Sequence, residues 1–201
     1  MKPRPFSSLW SVTNFLRNLL IRERKVCWVG REPLDIPVCY FCLKSGFLCQ
    51  SCSDKLKRGE ITQLDLEVAR SLLDLEVRFP QLKDCTFYKA VEVPGLIFIM
   101  VGCRRRIPRV IWRKISKALS DEKKMAVRII EKTPSLKAFL TQILSPARIS
   151  SINTIWLPDG TWESNVKISP GDLRKLPAEP KILEALIKDL INEKVTITQA
   201  G

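Results

Sequence analysis

The chain has 201 residues, 34 Lys and Arg against 21 Asp and Glu, a formal net charge of +13 and no histidine. Its 45% hydrophobic content is enough for folded cores, so the charge belongs to a globular surface and implies a polyanionic partner, of which nucleic acid is the commonest. Without histidine, a Walker-type phosphate loop or a nucleophile constellation, the chain is expected to be neither an enzyme nor a binder of a small-molecule substrate.

Residues 1–38 form a basic tail. Phe6, Leu9, Trp10, Val12, Phe15, Leu16, Leu19 and Leu20 approximate helical spacing, and Arg17, Arg22, Arg24 and Lys25 crowd the far end. Such a segment can dock on the protein's own surface, on RNA or a large assembly, or on a membrane surface. It lacks the small-residue cleavage site of a secretory signal. The longest apolar run, Leu96 to Val101, is far too short to cross a bilayer, so no membrane partner and a cytoplasmic location are expected.

Residues 39–58 hold two CxxC pairs, Cys39/Cys42 and Cys49/Cys52, separated by six residues that include Gly46. Each CxxC turn places two sulfurs on one side of the backbone, and two facing turns make a tetrahedron at a Zn–S distance of about 2.3 Å. The spacing predicts a compact structural zinc knuckle bent at Gly46, with an iron–sulfur cluster or disulfides as alternatives. Four thiolates leave no open position, so a catalytic zinc is disfavoured. The knuckle either staples the chain ahead of the first helix or touches RNA through Tyr40, Phe41, Phe47 and nearby lysines. Aromatics around such a turn are ordinarily its miniature core. Cys27, Cys85 and Cys103 stand alone, and an odd total with one cluster implies a reducing compartment.

From residue 59 the pattern becomes regular. Thr62 and Asp65 have capping-box spacing, and Leu64, Val68, Leu72, Leu75 and Phe79 form a stripe that predicts a helix over 62–78, ended by Pro80. A hairpin follows, with strands over 86–93 and 96–101 around a type II turn at Pro94-Gly95. A basic helix over 108–119 and a strand over 125–131 complete the first module, 59–132. The second, 133–201, repeats the order. Thr133 is expected to cap a helix that starts at Pro134; strands over 148–157 and 162–168 flank a turn at Pro158-Asp159-Gly160; Ser169-Pro170 opens a short helix; a helix over 180–192 and a strand over 194–198 follow.

Arg104, Arg105, Arg106, Arg109, Arg113, Lys114 and Lys117 lie within fourteen residues that contain no acid. Their density, with Trp112 among them and a central strand directly before, marks them as the expected phosphate-binding surface, which Lys123, Lys124 and Arg128 would extend.

The knuckle with Cys42-Leu43-Lys44-Ser45-Gly46, the Gly59-Glu60-Ile61-Thr62 entry, the strand Thr86 to Val93, and the junction Ser145-Pro146-Ala147-Arg148-Ile149 with Ile152-Asn153-Thr154 together resemble archaeal NusA-like proteins. Trp156 to Gly160 and Leu176-Pro177-Ala178 extend the likeness, which runs from about Cys39 to the end. The resemblance implies an α+β protein with a zinc knuckle followed by two tandem type II KH-like modules, acting on RNA in transcription elongation or termination. One departure weakens the functional half of that implication: KH domains clamp the RNA backbone with a GxxG loop, and this sequence has none. Val110-Ile111-Trp112-Arg113 replaces it in the first module, and Gly171 to Pro177 in the second. RNA binding, on a nascent transcript with RNA polymerase nearby, is therefore expected alongside a second reading, docking on structured ribosomal RNA of the small subunit.

Overall fold

The computed structural model describes residues 34–158 and 162–200. The tail helix expected between Phe6 and Leu20, Cys27, and Asp159-Gly160 of the expected turn lie outside the described residues. Residues 34–38, assigned to the tail by sequence, belong to the fold. Leu34 and Val38 are buried in the first core, and Asp35 bridges to Thr86, donating its N–H to the Cys85 carbonyl at 3.1 Å and accepting that of Phe87 at 2.8 Å.

The elements are helices α1 (Tyr40–Ser45), α2 (Gln50–Lys57) and α3 (Gln63–Arg78), a 3-10 turn at Pro80–Asp84, strands β1 (Cys85–Val93) and β2 (Leu96–Cys103), helix α4 (Arg109–Lys123) and strand β3 (Ala126–Glu131). Then come α5 (Leu136–Leu144), β4 (Ile149–Trp156), β5 (Trp162–Ile168), α6 (Pro170–Leu173), α7 (Pro180–Ile191) and β6 (Lys194–Gln199). The fold is α+β, with two three-stranded sheets in the orders β1-β2-β3 and β4-β5-β6. In each, the first pair is antiparallel and the second parallel, so the expected repeat is present in the topology.

Helix α3 starts where the capping box requires. Thr62 Oγ1 accepts the Asp65 N–H at 3.1 Å, and Asp65 Oδ2 accepts the Thr62 N–H at 2.7 Å. The other Asp65 oxygen does something the sequence pattern does not disclose: it accepts the Ala90 N–H at 2.6 Å. Ala90 lies just past an irregularity in the β1–β2 register between Phe87 and Lys89. A carboxylate that is 1% exposed thus ties the start of α3 to the middle of β1.

Strand β2 explains its own composition. Ile97, Ile99 and Val101 enter one core with Leu66, Leu72 and Leu75 of α3, Phe87 of β1 and Ile115 and Leu119 of α4. Leu96, Phe98 and Met100 point the other way, into a second core with Phe139, Leu140 and Ile143 of α5, Val166 of β5, and Leu183 and Ile187 of α7. A strand buried on both faces reads as a continuous apolar run because neither face is left for polar residues. The boundary expected at residue 132 is therefore not a boundary in packing: the first sheet supplies one wall of the second core, through Val93, Leu96, Phe98, Met100 and Ile130. An ion pair between Lys89 and Asp189 at 2.6 Å adds a link from β1 to α7.

Two local expectations are corrected. The fifth helix is capped by Ser135, whose Oγ accepts the Ala138 N–H at 3.4 Å, and not by Thr133, so Pro134 lies outside the helix. Cys85 and Cys103, which stand alone in the sequence, occupy facing register positions on β1 and β2 and are joined by a disulfide, which runs against the reducing compartment expected from the cysteine pattern. Hairpin register brings together residues 18 apart in sequence, which spacing alone could not disclose.

Replacing Asp65 with Ala is expected to lower the unfolding free energy by about 3 kcal/mol, because it removes a cap and leaves the Ala90 N–H buried without a partner. Replacing Thr62 with Ala should cost about 1 kcal/mol. Denaturant titration of both variants checks this; equal effects would mean that the Ala90 link contributes nothing.

Candidate metal centre and nucleic-acid interface

The four cysteines of the knuckle are held by two short helices in mutual support. Cys39 and Cys49 stand at the N-caps of α1 and α2, and Cys42 and Cys52 lie three residues on. The cap N–H of Cys49 donates to Cys42 Sγ at 3.0 Å, and the cap N–H of Cys39 reaches Cys52 Sγ at 3.5 Å, so each helix start serves a sulfur of the other pair. Gly46 turns the chain between them with φ of 79°, the left-handed conformation expected of the bend, and its N–H returns to the Cys42 carbonyl at 3.1 Å.

All four sulfurs lie within 4.8 Å of one another. Burial, with a hydrogen bond to Cys39, pushes the Cys42 thiol up to about 12, and burial also raises Cys52. The backbone N–H of Cys52 lowers Cys49 to about 7. Such a crowd of sulfurs suits a bound cation, whose charge offsets thiolates that burial otherwise opposes. The donor set fits a metal that accepts four soft ligands, and among the described residues it is the one group of this kind.

The knuckle is anchored and exposed at once. Cys42, Leu43 and Cys52 are buried in the first core, which fits the staple reading. Phe41 and Phe47 are not a miniature core, however: they are 72% and 79% exposed, and Tyr40 is 37% exposed.

The seven basic residues singled out by sequence are all exposed. Arg105 lies 3.9 Å from Asp84; the other six have no carboxylate within ion-pair distance among the described residues. Arg109 opens α4, whose first turn has no acid and whose N-cap, Pro108, offers no side-chain bond. Cations at the positive end of a helix are locally unfavourable, and an anion placed there would relieve both. Ile115 and Leu119 bury the opposite side of the helix.

Arg113 and Lys117 line an open groove of about 660 Å³ between α4 and the edge strand β3, with Trp112, Ser116 and Ser120 beside them. Arg104, Arg105, Arg106, Arg109 and Lys114 do not line it. Two of the three residues expected to extend the surface have other duties. Arg128 donates to the carbonyls of Ile143 and Ser145 at 3.1 and 2.6 Å, ending α5, and burial lowers its pKa. Lys123 pairs with Glu67 at 3.3 Å, whereas Lys124 is exposed at the left-handed end of α4.

The strand wall of the groove has one notable gap. Val127, Ile129 and Glu131 present their peptide groups to the outer edge of β3. Ser120 accepts the Val127 N–H at 3.0 Å and Ser116 donates to the Val127 carbonyl; Gln142 meets both Glu131 groups at 2.9 and 3.0 Å. Among the described residues, Ile129 alone of the three keeps both outward groups unmet. Sequence reasoning missed Ser116, Ser120, Ile129 and Gln142. The one available signal was the i, i+4 spacing of the two serines next to Trp112.

The segment expected to stand in for a GxxG loop, Arg109 to Lys114, is the first turn and a half of α4 and not a loop. In the second module Gly171 lies within the one-turn helix α6.

No family model matches the sequence, and no curated protein matches it. A solved structure described as "Crystal structure of APE1850" is similar at 17% identity, with a TM-score of 0.46, over 65% of this chain and 96% of that one. No helix among the described residues is long and apolar enough to cross a membrane.

The purified protein is expected to carry one metal ion per chain, and the C39S/C42S double variant to carry none, as measured by elemental analysis. Because a metal competes with protons for the thiolates, affinity should fall as pH is lowered. Full metal retention in the double variant would show that these sulfurs are not the ligands.

Proposed function

We propose that the protein binds RNA without catalysing a reaction, and that it does so as a NusA-like transcription elongation or termination factor built from a zinc knuckle and two KH-like modules. Zinc is the metal proposed, since four thiolates in a closed set suit its tetrahedral preference. The repeated helix, strand, strand, helix, strand order, to which the second unit adds the one-turn helix α6, with an antiparallel and then a parallel pair in each sheet, supports the KH-like reading.

The observation that carries RNA binding is the unpaired basic start of α4 beside the α4–β3 groove. Arg109, Arg113, Lys114 and Lys117 are exposed without carboxylate partners among the described residues, and Arg113 and Lys117 flank a wall that offers the Ile129 donor and acceptor. Phosphates would meet the cations, and a base in the groove would meet the free peptide and Trp112.

A second reading is favoured by the helical character of Arg109 to Lys114. With no glycine loop to close on a single strand, a rigid basic helix suits docking on structured ribosomal RNA in the small subunit.

Charge reversal at Arg109, Arg113 and Lys117 is expected to weaken retention on RNA at least about tenfold while moving the thermal midpoint little, since all three are exposed. Unchanged retention would remove the assignment. Sedimentation of cell extract then separates the two readings: migration with ribosomal subunits supports the second, and co-migration with RNA polymerase after nuclease treatment supports the first.

A further inference from the structure

We infer that the knuckle is a second RNA contact, in which Phe41 and Phe47 stack on unpaired bases while Lys44 and Arg70 meet the adjoining phosphates. The inference rests on the RNA-binding reading and adds to it a site that lies apart from the α4–β3 groove.

The knuckle does not need these two rings for its own folding. Leu43 is buried, and Leu48 and Leu56 are partly buried against the first core, so the apolar anchoring of the segment is already supplied. Phe41 projects from α1 and Phe47 from the residue after its Gly46 C-cap, so both belong to one tightly held module. A single exposed aromatic is unremarkable. Two phenyls left more than 70% exposed within seven residues, on a segment fixed by four sulfurs, form a preorganised display.

The charges beside them select the partner. Arg70, exposed on α3, brings its guanidinium to 3.9 Å from where a Cβ on Gly46 would stand, immediately before Phe47. Lys44 Nζ lies 4.7 Å from the Tyr40 ring centroid. Neither cation has a carboxylate within ion-pair distance among the described residues. On the helix that carries Arg70, Glu67 pairs with Lys123 at 3.3 Å, and Asp74, exposed one turn on, lies beyond ion-pair distance of Arg70. Aromatic faces interleaved with unpaired cations suit a single strand, whose bases have π-faces and whose linkages are anionic. An apolar protein pocket would use the rings and leave the cations idle. The cations also offset the negative charge of a metal tetrathiolate, so the decisive substitutions are those of the uncharged rings.

The test uses the full, metal-loaded chain and a labelled oligouridylate about 12 nucleotides long, read by fluorescence anisotropy. The F41A/F47A variant is expected to lose roughly 30-fold or more in affinity, with metal content and log–log salt slope unchanged. The K44A/R70A variant should instead reduce that slope by about 1.4. If F41A/F47A binds like the unsubstituted protein while charge reversal on α4 still abolishes binding, the knuckle surface serves a different partner, such as a protein, and this inference falls while the RNA reading stands. If the unsubstituted protein does not bind the oligouridylate at all, this inference falls together with the single-strand reading, and only docking on structured RNA survives.

Discussion

Burial of Leu96 to Val101 on both faces is the constraint on which the rest of the structure depends. Ile97, Ile99 and Val101 close the first core; Leu96, Phe98 and Met100 close the second. Because side chains alternate along a strand, no residue can move by one position without exchanging the two cores, so the register of β2 is strongly specified. Its neighbours inherit that register, β1 through the antiparallel hairpin and β3 through the parallel pairing. Two modules that a topological reading separates are thus one packed body across β2.

That rigidity has functional consequences. Helix α4 and strand β3 are both anchored on the first core, so the groove between them keeps its width without a closing loop. The knuckle joins the same core through Cys42, Leu43 and Cys52, and α3 is tied to β1 by Asp65. Cations on α4 and aromatics on the knuckle are therefore held on a shared frame. Binding to such preformed surfaces loses less conformational entropy than binding through mobile arms.

Much of this was legible in the sequence, and the misses share a cause. Helix α3 and its cap, the Pro94-Gly95 turn, the strand pairs and the knuckle's bend at Gly46 follow from local spacing and are present as expected. The misses involve partners distant in the chain. Cys85 meets Cys103 only through hairpin register, Arg128 lines the groove but turns its guanidinium to the carbonyls at the end of α5, and the outward aim of Phe41 and Phe47 depends on Leu43 and Leu48 having filled the inner side. The Ile129 gap is further still from sequence, since it appears only once Ser116, Ser120 and Gln142 have met the peptides on either side.

The central claim is that the cations of α4 meet phosphates, and the most direct measurement is the salt dependence of affinity for a short single-stranded RNA. Four to six neutralised phosphates correspond to a log–log slope of about −3 to −4. A slope near zero, or binding too weak to measure at low salt, would contradict it.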